Sequence, residues 1–178
     1  MLNKIACYTS SFLSNTIQDS KYTAEELEYG IKILLNNISI LVISFLISYL
    51  FNDTYSWFIV TANFVLLRFF SGGVHFKSSE ACIIVSTFLI VFIQIIVPYI
   101  TSYIPVLNAI SLLIVLLLAP SGIHNQINLK AKNIEIYFKF ISAALVLINF
   151  LIIESNLVSV TYFIQSLLLI LNLRKQRG

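Results

Sequence analysis

Charge is what this chain has least of. Asp, Glu, Lys and Arg make up 11% of its 178 residues, while 58% are hydrophobic and the mean hydropathy is +0.92. An average soluble domain is about 25% charged, so the composition excludes one and belongs to a polytopic membrane protein. Cysteine is also scarce, with only Cys7 and Cys82 present. Neither a disulfide scaffold nor a thiolate metal cluster follows from that pair, and one nearby histidine leaves too few ligands for a metal. Several intramembrane chemistries lack their residues. There is no H-E-x-x-H, no P-loop or dinucleotide fingerprint, and no pair of acidic residues inside the apolar runs. Phe69 stands where the first glycine of a G-x-S-G motif would be. Residues 1–18 carry one lysine, Lys4, and no continuous apolar run, so no cleavable signal is expected.

What is present is an all-α pattern of six short apolar spans, at about residues 31–51, 55–70, 81–100, 103–119, 136–153 and 157–173. The chain is read as one membrane domain, 1–178. Residues 1–30 form an N-terminal segment, 31–173 the six-helix bundle and 174–178 a basic tail. On a helical wheel, Leu2, Ile5, Tyr8, Phe12, Leu13 and Ile17 share one half of that N-terminal segment, opposite Lys4, Ser11, Asn15 and Gln18. This predicts an amphipathic helix lying in the membrane interface. Thr23 followed by Glu26 fits a capping box that starts the next helix.

Charge fixes the orientation. With six spans, Lys4, Lys21, Lys32, Arg68, Lys77, Lys130, Lys132, Lys139, Arg174, Lys175 and Arg177 all fall on one side. The opposite connections hold only Asp53 and Glu154 as charges. Basic residues collect on the cytoplasmic side. Both termini and both cysteines are therefore expected there, in a bacterial cytoplasmic membrane, where thiols stay reduced.

The connection after the second span reads RFFSGGVHFKSSEAC. Gly72-Gly73 breaks the helix and permits close backbone approach. A nucleophilic cysteine needs a base or cation to favour its thiolate, and histidine takes and returns protons near neutral pH. His75 and Cys82 are seven positions apart, a rise of roughly 10.5 Å on a straight helix. On such a helix the histidine would lean away from the cysteine, so a joint role requires a loop that folds back. Three readings are open on the residues alone. His75 and Cys82 form a catalytic pair; the chain is a small transporter in which Arg68, Lys130 and Lys132 handle an anion; or it is a scaffold in which they pack. The near absence of ionisable groups in mid-span counts against the transporter.

The pattern Arg68, Gly72, Gly73, His75, Cys82 closely resembles the R-x-x-x-G-G-x-H-x-x-x-x-x-x-C signature of the accessory gene regulator B (AgrB) family, and the likeness extends along nearly the whole chain. Ala119-Pro120 after the fourth span is a second, weaker mark. The resemblance implies a membrane cysteine endopeptidase that processes an AgrD-type quorum-sensing propeptide, with His75 and Cys82 catalytic and Arg68 and Gly73 supporting. It implies a homodimer in the lipid bilayer and neither metal nor organic cofactor; nucleic acid is not an expected partner. Lys130 and Lys132 match the family's basic loop only loosely, because they lie later than the Ala-Pro and depart from its lysine-proline arrangement.

The orientation is testable by thiol labelling of intact cells. An impermeant maleimide should reach neither Cys7 nor Cys82, and modification of Cys82 from outside would reverse the topology.

Overall fold

The computed structural model describes residues 8, 24–73, 78–121 and 132–177. Tyr8 is helical and exposed; the rest of the expected amphipathic segment, with Thr23, lies outside the described residues. Six α-helices follow in chain order: α1 Ala24–Leu50, α2 Thr54–Ser71, α3 Ser79–Ile96, α4 Ile104–Leu118, α5 Lys132–Ile148 and α6 Asn156–Arg177. Each matches one sequence-predicted span to within a few residues, except that α1 begins seven positions earlier than its span, at Ala24 rather than residue 31. The end read as a basic tail is helical in backbone, as α6 runs to Arg177.

Among the described residues, four segments are long and apolar enough to cross a membrane: Glu25–Leu50, Ser79–Tyr99, Thr101–Leu118 and Glu135–Ile153. Asn156–Asn172 is a shorter apolar helix. The remaining helix, α2, spans 18 residues and includes Asn63 and Arg68. The two helices outside the group of four are thus α2 and α6. They pack on each other, with the Tyr162 hydroxyl donating to Asn63 Oδ1 at 2.9 Å. A helix surrounded by other helices can carry polar side chains that a lipid-facing one cannot.

Local chemistry sets the turns. Asp53 caps α2 by accepting from the Ser56 amide at 3.3 Å, beside Asn52 in the left-handed region at φ 56°. Pro98 opens a short 3₁₀ turn after α3, and Pro105 sits in the first turn of α4, where a missing N–H is harmless. Helix α5 ends in a π-helical turn, Asn149–Ile153, followed by Glu154 at φ 51°. Asn149 is fully buried there; its amide donates to Ser159 Oγ at 2.8 Å and accepts from the Ser155 amide at 3.3 Å. One side chain so satisfies the turn between α5 and α6.

Helix α6 is the interior element, packed against α4, α2 and α3. Its buried set, Val158 to Tyr162, Gln165, Ser166, Leu168, Leu169 and Asn172, runs most of the way round the helix. Leu67, Val115, Val146, Val158 and Leu169 form one apolar cluster around it. Cys82 belongs to a second, with Ile40, Val60, Ile90, Ile93 and Val160. Outward-facing Leu46, Phe58, Ile84, Phe88, Leu117 and Leu151 are exposed, as expected of surfaces that contact lipid.

The connections after α2 and α4 meet. Gly72 and Ser121 form a parallel bridge: the Gly73 amide donates to the Ser121 carbonyl at 3.3 Å, and the Ser121 amide donates to the Ser71 carbonyl at 2.9 Å. A Cβ on Gly72 would overlap the Ser121 carbonyl oxygen, and φ there is 75°. Gly72→Ala should therefore destabilise the protein by more than about 1 kcal/mol, read as a lower Tm in detergent. An unchanged Tm would show that the two connections do not meet.

Candidate functional site

Helix α2 ends where Gly72 enters the left-handed region, its amide still bonded to the Arg68 carbonyl at 3.0 Å. Gly73 follows at φ 154°. Helix α3 restarts at Ser79, capped by Ser78 Oγ, which accepts from the Ala81 amide at 3.2 Å. Ser78 also donates to Glu80 Oε2 at 2.8 Å. Ser78 and Glu80 thus act as helix-start residues. Gly72, Gly73 and Ser78 lie outside any helix, so residues 72–82 are not one straight helix. His75 itself, with Lys77 and Lys130, lies outside the described residues. Lys132 opens α5, away in sequence from the bridge.

Cys82 is the fourth residue of α3, and its amide donates to the Ser78 carbonyl at 3.2 Å. Its thiol is free and 6% exposed. A side chain in the first turn leans toward the helix start, where unpaired amides and the helix dipole favour negative charge. The half-buried Arg68 lies within Coulombic range of Cys82. The Arg68 guanidinium carbon is also 6.0 Å from the Phe64 ring centroid and 4.0 Å from where a Cβ on Gly73 would stand. Among the residues expected from sequence, Arg68 and Gly73 are therefore neighbours, and Cys82 lies within Coulombic range of Arg68. No cluster of three or more potential metal ligands is found among the described residues.

Sequence reasoning missed three polar residues at this place. Gln165, fully buried on α6, donates from Nε2 to the Gly72 carbonyl at 3.2 Å. Asn172, seven residues on, donates to Ser121 Oγ at 3.0 Å. Seven residues is nearly two helical turns, so both lie on one face of α6 and each holds one of the two bridged connections. Ser121 is the third. The available signal was the amides of Gln165 and Asn172 interrupting the last apolar run, and a serine directly after Ala119-Pro120. That second mark stands opposite the first: Gly72 pairs with the residue following Pro120.

An apolar bundle of helices whose outward side chains are exposed aliphatic and aromatic residues defines a polytopic membrane protein. The chain matches the accessory gene regulator B family over residues 3–173 and belongs to it. It is a membrane protein of the agr quorum-sensing system, in a family associated with peptide processing. No curated protein and no solved structure matches the chain.

A cation near a thiol favours its nucleophilic thiolate form. Arg68→Gln should slow alkylation of Cys82 by iodoacetamide several-fold at fixed pH, measured in a Cys7→Ser background. An unchanged rate would remove Arg68 from the electrostatics of the thiol.

Proposed function

We propose that this protein is a membrane cysteine endopeptidase that cleaves and cyclises an AgrD-type propeptide. The bundle has six spans with both termini cytoplasmic, works as a homodimer, and uses no cofactor. The observation that carries the reading is the setting of Cys82: a free, shielded thiol at a helix start, within Coulombic range of Arg68, in a chain of this family.

The Cys82 thiolate attacks a peptide carbonyl in the propeptide. His75 accepts the thiol proton and passes it to the nitrogen of the leaving fragment as the C–N bond breaks. The remaining fragment is an acyl-thioester on Cys82. A cysteine or serine within that fragment then attacks the thioester carbonyl, expelling the Cys82 thiolate and closing a thiolactone or lactone ring. Water competes with that second nucleophile. Burial of Cys82 in an apolar cluster supports the ring-closing outcome, because exclusion of water protects a reactive intermediate. The basic loop with Lys130 and Lys132 suits an acidic propeptide tail.

In lipid reconstitution with a synthetic propeptide, Cys82→Ala should lower cleavage by at least about 10³-fold. Cys82→Ser should trap or slow an acyl adduct visible by mass spectrometry. Cleavage persisting in Cys82→Ala would rule out the mechanism.

A further inference from the structure

Gln165 is a full amide on a membrane helix, entirely buried, and 93 residues from the carbonyl it holds. Polar side chains in such a place are usually there for function. The Nε2 atom does two things. It donates to Gly72 O at 3.2 Å and lies 3.3 Å from where a Cβ on Gly73 would stand. That second distance is tight contact, so any residue but glycine at 73 would press on the amide. The Gly72 carbonyl belongs to a residue at φ 75°, outside any helix ladder; its other donor is the adjacent Ser71 hydroxyl at 3.3 Å, a local contact that ties the turn to no other helix, and the Gly72 amide is already committed to Arg68. Gln165 Oε1 has no hydrogen-bond partner among the described residues. A leucine would fill the same space without leaving that acceptor unpaired. The function of the amide lies in its donor half.

We propose that Gln165 is a positioning residue: its amide N–H holds the Gly72 carbonyl and so fixes the turn that carries Gly73 beside Arg68 and leads in sequence to His75. It does not touch the reacting atoms. It acts through the Gly72-Gly73 turn, and Asn172 on the same face of α6 fixes the opposing Ser121. The glycine requirement at 73 then has a cause, since the clamp occupies the space a side chain would need. The catalytic part of this inference rests on the proposed peptidase reading; the clamp itself does not.

Two variants separate the donor from mere bulk. Gln165→Leu removes the N–H. Gln165→Glu is isosteric and can donate to Gly72 O only when protonated. The full-length protein in lipid nanodiscs is compared with wild type by propeptide cleavage and by hydrogen exchange of the peptide containing Gly72 and Gly73. Gln165→Leu should lower kcat on the order of 10- to 100-fold, the usual effect of a displaced reacting geometry, with KM nearly unchanged, and should speed exchange at 72–73. For Gln165→Glu, the ratio of kcat to that of wild type at the same pH should rise as pH falls. Taking the ratio cancels the titration of Cys82 and His75, and Arg68 alongside favours the carboxylate at higher pH. Wild-type kcat in Gln165→Leu, or exchange at 72–73 unaltered in both variants, overturns the proposal. So does a Gln165→Glu kcat that fails to change in step with exchange at 72–73 across the pH range. If Gln165→Leu does not fold, Gln165→Glu alone decides between these results. If the wild-type protein cleaves nothing, the peptidase reading fails while the exchange measurement still decides whether Gln165 holds the turn.

Discussion

The structure hangs on a short piece of backbone pairing between two connections. The Gly72-Gly73 turn after α2 and the Pro120-Ser121 turn after α4 exchange amide and carbonyl bonds as a parallel bridge. Backbone groups at the end of a membrane helix cannot be left unpaired in an apolar setting without a cost of several kcal/mol. Here each connection satisfies the other. The pairing needs very close approach, which is why glycine occupies position 72: a Cβ would meet the Ser121 carbonyl. With the turn set, Gly73 stands beside Arg68, whose charge reaches Cys82. The site is therefore a consequence of how two loops meet.

Helix α6 makes that meeting rigid. Tyr162 reaches Asn63 on α2, Gln165 reaches Gly72, and Asn172 reaches Ser121. Within one helix these residues face neighbours that would otherwise be free to slide, because apolar packing between membrane helices has little direction. Hydrogen bonds supply the register. Each such bond is worth about 0.6 kcal/mol on average in a bilayer, so the stabilisation is modest and the gain is in placement.

Cysteine chemistry in this position gains from both features. A thiol inside an apolar cluster is kept from bulk water, yet it sits in the first turn of its helix, within Coulombic range of Arg68. In the proposed mechanism this combination would suit an acyl-thioester that must outlive encounter with water and yield to a nucleophile already in place. Shielding alone would leave the thiol inert, and charge alone would favour hydrolysis.

Much of this was legible in the residues. Six apolar runs against so few charges required helices, since only closed backbone pairing is tolerated in lipid, and the observed helices lie where those runs do. The double glycine announced a break, and the break is there. Arg68, Gly73 and Cys82 were marked by their types and spacing; Arg68 and Gly73 are neighbours in space. What the sequence by itself determined was local: which segments are apolar, where a helix must end, and which residue types have reactivity. What only the tertiary structure decided was non-local. Nothing in the order of residues tells that Ser121 sits against Gly72, or that Gln165, 93 positions on, holds its carbonyl. An uncharged amide in an apolar run says only that a partner exists. Periodicity and composition act between near neighbours along the chain, whereas a hydrogen-bond partner is chosen by which helices pack side by side.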